Sequence, residues 1–313
     1  MLDFGLLLLG LIVLVFGGEL LVRGAVGIAA SLKISPLVIG LTIVSFGTSA
    51  PELLVSLNAS LDGNSGIAIG NVLGSNIANL ALVLGITCMI FPIVVAKQTK
   101  VVDWPVMMGA SILFFLFALD GTIELWEGIV FLIMLIVFTV GLIAKSRKEG
   151  KKAECDELED APKNQWVAAG LLLAGLVGLY FGSEWFVDGA KALAKSFGME
   201  DHIIGLTVVA FGTSAPELVA SCVAAFRQQT DISVGNLIGS NIFNILAVLG
   251  VTATVKDLSV SDEVLSSDMY WMLGISLAIL PMMLIGKKMG RIKGFMLFGT
   301  YVIYISLLVI SAS

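Results

Sequence analysis

Charge is scarce in this chain. Asp, Glu, Lys and Arg make up 13% of its 313 residues, about half the roughly 25% typical of soluble domains, and 58% of the residues are hydrophobic. That deficit excludes a water-soluble globular protein. Histidine occurs once, at His202, and the cysteines Cys88, Cys155 and Cys222 show no metal-binding or redox spacing. A Cys/His metal centre is thereby excluded; the cysteines read as small apolar fillers plus one loop thiol, and His202 as an interfacial residue. No nucleophile–base pair and no cofactor motif appears, so neither an enzyme nor a bound cofactor is expected, and no nucleic-acid partner. A charged leader and small-residue cleavage site are also missing before the first apolar run, Phe4 to about Leu32, which is too long for a signal sequence and reads as a retained span. Hydrophilic stretches are absent but for SRKEGKKAECDELEDAPKNQ at 146–165.

What remains is apolar sequence in runs near the length that crosses a bilayer, about 20 residues. They place ten helices near 3–31, 36–61, 66–95, 103–120, 123–145, 166–197, 202–226, 231–255, 267–286 and 294–311. The expected fold is an all-α polytopic membrane protein in a lipid bilayer: a first five-helix repeat over 1–145, a linker over 146–165 and a second repeat over 166–313. The halves correspond residue by residue. GGELLVRGA at Gly17 matches GSEWFVDGA at Gly182, and GNVLGSNIANLALVLG at Gly70 matches GNLIGSNIFNILAVLG at Gly235, always 165 positions apart without a gap. Chance similarity between oily segments would not keep Gly, Ser, Asn and Glu in step; duplication would.

An odd number of spans per half turns the second half upside down, the inverted repeat of secondary transporters. The positive-inside rule orients it. With the N-terminus outside, Lys and Arg gather inside at Lys33, Lys97, Lys100, 145–152, Lys163, Arg227 and 287–293, against Lys191, Lys195 and Lys256 outside. Both termini are therefore expected outside the cell membrane and the 146–165 loop in the cytoplasm.

The string FGTSAPEL occurs at 46–53 and again at 211–218. Pro51 lacks an N–H and clashes with the carbonyl of Gly47, so the helix must kink or break there, which Gly47 eases. Carbonyls freed at membrane depth are tolerated only facing protein or an aqueous cavity, where they can ligate cations. Thr48 and Glu52 share a helix face with Ser49 beside them, and Thr213, Ser214 and Glu217 repeat the set. The following spans add Ser75 and Asn79, and Ser240 and Asn244, again four apart, beside small-xxx-small pairs that allow close packing. The four polar breaks are expected to converge at the centre of the bilayer. A carboxylate there is unfavourable by about 2.5–3.5 kcal/mol, and these spans hold no Lys or Arg near their centres. Two glutamates with neutral oxygen ligands suit a cation. All-oxygen ligation favours hard ions; Mg²⁺ fits less well because it dehydrates reluctantly, which leaves Ca²⁺, Na⁺ or both.

These paired strings resemble the two α-repeats of the calcium/cation antiporter superfamily, in its prokaryotic sodium/calcium exchanger branch, and the resemblance spans essentially the whole chain. It implies exchange of cytoplasmic Ca²⁺ for external Na⁺ by alternating access, electrogenic and in the direction of Ca²⁺ extrusion, with Na⁺, Ca²⁺ and the bilayer as the partners of a monomeric chain. Carried over by position, it implies Ca²⁺ held by Glu52, Glu217, Thr48 and Thr213. Na⁺ sites would use Ser49, Ser75, Ser214, Ser240, the carbonyls of Ser45 and Ala210, and the same two glutamates. Asn79 and Asn244 would line the centre. Potassium-dependent members carry Asp where this chain has Asn244, which argues against a K⁺ requirement. The chemistry alone leaves open an H⁺-coupled antiporter and, in another class, a passive cation channel. Glu19 with Arg23 and Asp188 with Lys191 are spaced for local ion pairs, a gating role staying open, and the acidic run 154–160 reads as a solvated loop.

Overall fold

The structure, a computed structural model, describes residues 2–148, 162–197, 210–286 and 288–312. The linker stretch 149–161 and residues 198–209, which include His202 and the start of the expected seventh span, lie outside the described residues. Helix α1 covers Leu2–Leu32, α2 Pro36–Thr48, α3 Ala50–Leu61, α4 Ser65–Ile90, α5 Thr99–Ala118 and α6 Leu125–Lys148. In the second half α7 covers Gln165–Ser196, α8 Ala210–Thr213, α9 Ala215–Phe226, α10 Thr230–Val255, α11 Val264–Leu284 and α12 Arg291–Ala312. Among the described residues eight helices are long and apolar enough to cross a membrane, and the pair α2–α3, bent by 43°, makes a ninth. The expected span 202–226 is described only in its second part. At 31 residues, α1 is about 46 Å long, more than a hydrocarbon core of about 30 Å, so it must tilt to stay in apolar surroundings.

Composition explains the layering. Helices α4 and α10, which carry the polar motifs, are the buried ones: 78% and 83% of their most apolar windows are enclosed, against 17–33% for the other long helices. Those outer helices turn Phe16, Ile136, Val137 and Ile292 outward, an apolar face of the kind a bilayer can cover. Helix α1 enters its seam with α7 through glycines. A Cβ built on Gly10 would lie 2.4 Å from Phe186 N and 2.8 Å from Gly182 O; one on Gly175 would lie 2.4 Å from Leu21 N and 2.8 Å from Gly17 O. The contacts climb one helix while descending the other, from Gly10 at Phe186 to Gly24 at Leu172, so α1 and α7 run antiparallel.

Those two contacts are one contact made twice, because Gly10, Gly17 and Leu21 correspond to Gly175, Gly182 and Phe186 across the repeat. A similar exchange recurs further along, where the partner positions Gly128/Gly294 and Ile123/Met289 are shifted by one from the 165-residue register. Gly85 of α4 packs on Gly294 of α12, and its counterpart Gly250 packs on Gly128 of α6. Ile93 pairs with Met289 in an isolated bridge, and its counterpart Leu258 pairs with Ile123 where strands β1 (Thr122–Ile123) and β2 (Leu258–Ser259) meet antiparallel. Turns with positive φ also correspond, Gly63 with Gln228 and Gly121 with Gly286. Each half therefore packs against the other through the surface that the other uses in return.

The sequence-based expectation of a break in all four motif helices needs correction. Breaks occur at Ser49, between α2 and α3, and at Ser214, between α8 and α9, with matching φ of −88° at both. Pro51 and Pro216 fall in the first turn of the next helix, where the missing N–H has no intrahelical acceptor to lose. Helices α4 and α10 contain no proline and stay continuous. They widen instead into π-turns at Ala78–Val83 and Asn244–Leu249, a local under-winding that recurs at functional positions.

Gly175→Ala should separate α1 from α7, since its Cβ would strike backbone that no rotamer change can move. A loss of roughly 1–3 kcal/mol, read as a lower Tm in detergent, is expected. Gly170→Ala, with open space around its Cβ, should leave Tm unchanged or raise it.

Candidate functional site

The site forms where two breaks meet two π-turns. Proline is the second residue of α3 and α9, and one residue further on Glu52 and Glu217 occupy first-turn positions, where the helix dipole favours negative charge. Both glutamates are 0% exposed and close enough to repel one another. The π-turns begin beside the other motif: Asn79 lies in the first, Asn244 opens the second, and both are 0% exposed.

Several expected residues are brought together across the repeat. Ser49 Oγ donates to Glu217 Oε1 at 3.3 Å, and Thr48 Oγ1 lies 3.4 Å from Ser240 Oγ. Ser75 is buried on α4, on the face of Asn79, and Ser214 is buried at the second break. Thr213 is half-buried at the end of α8. Ala210 opens α8, and its side chain lies outside the described residues. The Ser45 carbonyl is less bare than the break suggests: it accepts the Ser49 N–H at 2.9 Å, and Thr48 Oγ1, whose one proton has a shorter partner in Asn236 Oδ1, lies 3.4 Å away. The carbonyl's second lone pair direction is what a cation would have to use. The Ser45 hydroxyl bonds Gly40 O at 2.6 Å and Asn236 O at 3.0 Å, tying α2 to α10.

Six further polar residues complete the surround. Asn236 Oδ1 accepts from Thr48 Oγ1 at 3.1 Å while its Nδ2 donates to Ser221 Oγ at 3.1 Å. Its counterpart Asn71 donates to Ser56 Oγ at 2.9 Å and to the Glu52 carbonyl at 3.1 Å. Asn76 Oδ1 accepts from Asn244 Nδ2 at 3.1 Å, and Asn241 Nδ2 donates to Leu237 O at 2.8 Å. A signal for them existed in the sequence. Asn71, Asn76 and Ser56 recur as Asn236, Asn241 and Ser221 at the same 165-residue offset, and Ser56 and Ser221 lie four residues beyond Glu52 and Glu217, just as Asn71 and Asn236 lie four before Ser75 and Ser240.

What sets the chemistry is the polar atoms left over. Glu52 Oε1 and Oε2, Glu217 Oε2, both amide atoms of Asn79, Asn244 Oδ1 and Ser214 Oγ are buried without a hydrogen-bond partner. Leaving buried polar atoms unmet costs about 1–3 kcal/mol each, and native proteins leave few. Six of the seven are oxygens, and two carboxylates supply the charge. Among the described residues no cluster of three Asp, Glu, His or Cys exists, so most ligands here would be neutral oxygens. This donor set suits a dehydrated hard cation that tolerates irregular coordination.

The model of the family described as sodium/calcium exchanger protein matches residues 2–144 and 167–310. The chain is 40% identical over 308 residues to the putative antiporter CaxA of Alkalimonas amylolytica, with 95% of each chain covered. It is 33% identical to the sodium/calcium exchanger MaX1 of Methanosarcina acetivorans, covering 98% of each. A solved structure of the sodium–calcium exchanger NCX_Mj, soaked with Na⁺ and Ca²⁺, superposes with a TM-score of 0.84 at 35% identity and 98% coverage of both chains.

Asn236→Leu should strand the Thr48 and Ser221 hydroxyls together. Tm in detergent should fall by the equivalent of about 1–3 kcal/mol, and the stabilisation that Ca²⁺ confers on the parent protein should shrink with it.

Proposed function

The chain belongs to the sodium/calcium exchanger protein family, and from that membership and the site's geometry we propose that it exchanges Na⁺ for Ca²⁺ by alternating access. Cation/Ca²⁺ antiport is the activity of the family; the identity of the coupling ion and the electrogenic extrusion of Ca²⁺ are the proposal. One observation carries it: two buried carboxylates and several neutral oxygens, contributed by both halves, face one another without partners at the break points. Ca²⁺ would be held by Glu52, Glu217, Thr48 and Thr213. Na⁺ would use the same glutamates with Ser49, Ser75, Ser214, Ser240 and the Ser45 and Ala210 carbonyls. Because both ions need Glu52 and Glu217, one displaces the other, and that competition is the coupling.

Hydroxyls favour Na⁺ over H⁺ as the driving ion, since a proton needs no cage of neutral oxygens. The antiparallel α1–α7 seam and the exchanged contacts support two inverted five-helix halves, 1–145 and 166–313, in a multi-pass cell-membrane protein. Its termini would lie outside and its linker in the cytoplasm. Asn244 supports independence from K⁺. Its Nδ2 donates to Asn76 Oδ1, a bond that a carboxylate at this position could not make, and amides at both central positions keep the formal charge at two.

Proteoliposomes loaded with Na⁺ should take up radiocalcium down the outward Na⁺ gradient, in K⁺-free medium as well as with K⁺. Uptake that follows a pH gradient and ignores Na⁺ would identify an H⁺-coupled antiporter, and unitary currents in a planar bilayer a channel. Glu52→Gln and Glu217→Gln should each abolish uptake. If net charge moves, each elementary charge is worth about 2.3 kcal/mol per 100 mV, so a potassium–valinomycin potential should alter the uptake rate.

A further inference from the structure

Glu19 is held by more than its own helix. Arg23, four residues on, donates to Oε1 at 2.6 Å. Arg227 donates through Nε to Oε2 at 3.0 Å and through Nη2 to Oε1. This is the two-pronged guanidinium–carboxylate geometry that outlasts an ordinary surface pair, and the side chains are only 34% and 22% exposed. Arg227 caps α9, the helix that carries Glu217 ten residues earlier. The pair therefore ties α1 to the linker-side end of a motif helix. Beside it the packing is tight: a Cβ on Gly18 would lie 3.0 Å from Val219 Cγ1 and 3.3 Å from Val223 Cγ2. On the same side α10 closes against α2, with Gly235 and Gly239 buried within van der Waals reach of Leu37 and Leu41.

The repeat provides a comparison within the same molecule. The counterparts of Glu19, Arg23 and Arg227 are Glu184, Asp188 and Asp62. Three acidic side chains cannot form that clamp. The counterparts of Gly235 and Gly239 are Gly70, which is exposed, and Gly74, which is half-buried. Where the clamp is missing, a cavity of about 280 Å³ opens between α7 and the motifs, lined by Ser183, Glu184, Asp188, Gly212, Thr213 and Pro51. Among the described residues one side is thus packed and cross-linked by charge, and the equivalent side holds the cavity.

We propose that the Glu19–Arg227 pair is the latch that holds the linker-side route to Glu52 and Glu217 closed. Neither residue touches the ion. Both are positioning residues that act by fixing α9 against α1, and release of the pair is required before that side can open. The transport consequence rests on the exchanger reading above; the structural claim does not.

In a background with Cys88, Cys155 and Cys222 replaced by Ala, Val219→Cys places a reporter in the α1–α9 seam. Its reaction with a membrane-impermeant maleimide is measured from each side of proteoliposomes. Arg227→Gln and Glu19→Gln should each speed labelling from the linker side by at least about fivefold, and the double variant no further, since both remove the same interaction. Arg227→Lys keeps the charge without the fork and should fall between; it serves if a glutamine variant does not fold. Unchanged linker-side labelling, fully additive effects, or equal acceleration from both sides would overturn the latch. In exchange assays the same variants should move the apparent KM for Ca²⁺ in opposite directions at the two faces, which general destabilisation cannot do. Faster linker-side labelling with no Na⁺-dependent exchange in the parent would refute the exchanger reading and leave the latch standing.

Discussion

Glu52 and Glu217 are two fully buried carboxylates that no basic side chain among the described residues neutralises, and much of the structure is arranged around that difficulty. Each would destabilise an inserted span by about 2.5–3.5 kcal/mol if it stood alone, and together they repel. Their surroundings provide partial relief. Each glutamate occupies the first turn of a helix, where backbone N–H groups point at it, and Ser49 donates to Glu217 across the repeat. Three of the four carboxylate oxygens remain unmet. The proline breaks, the π-turns and the dense packing of α4 and α10 can be understood as the scaffold that keeps this unmet charge in one place. A looser scaffold would let water in and let the carboxylates part.

The halves began as copies and have kept the packing while changing the chemistry at their edges. The glycine contacts of the α1–α7 seam correspond across the halves, because a close backbone approach leaves no room for a Cβ. Charged side chains near the ends face no such restriction. Arg227 stands where the first half has Asp62, and Arg23 where the second has Asp188. Symmetry of backbone with asymmetry of charge lets one architecture distinguish its two sides.

Much of this was legible in the sequence, for identifiable reasons. Apolar runs give membrane helices because a bilayer offers the backbone no other partner. FGTSAPEL announced its break because proline removes a specific hydrogen bond. The 165-residue register identified the repeat, and the paired motifs pointed to the exchanger family. The π-turns were not legible: the residues in Ala78–Val83 and Asn244–Leu249 include neither Pro nor Gly, so nothing in the local sequence marks a departure from the α-helix. The roles of Asn71 and Asn236 were not legible, because their partners, the Glu52 carbonyl with Ser56 and Thr48 with Ser221, lie on other helices. Glu19 looked like a local pair with Arg23 because i,i+4 spacing is visible in a sequence and a partner 208 positions away is not.

The exchanged contacts carry one more consequence. In a symmetric dimer, a patch meets a copy of itself, and every contact appears twice. Gly10 on Gly182 with Gly175 on Gly17, and Ile93 on Met289 with Leu258 on Ile123, have that form within a single chain. A half-length ancestor able to insert in either orientation would have assembled this interface with its own inverted twin. Within one chain each half can accept a substitution by itself, whereas in a homodimer every new charge would appear on both copies of the patch at once.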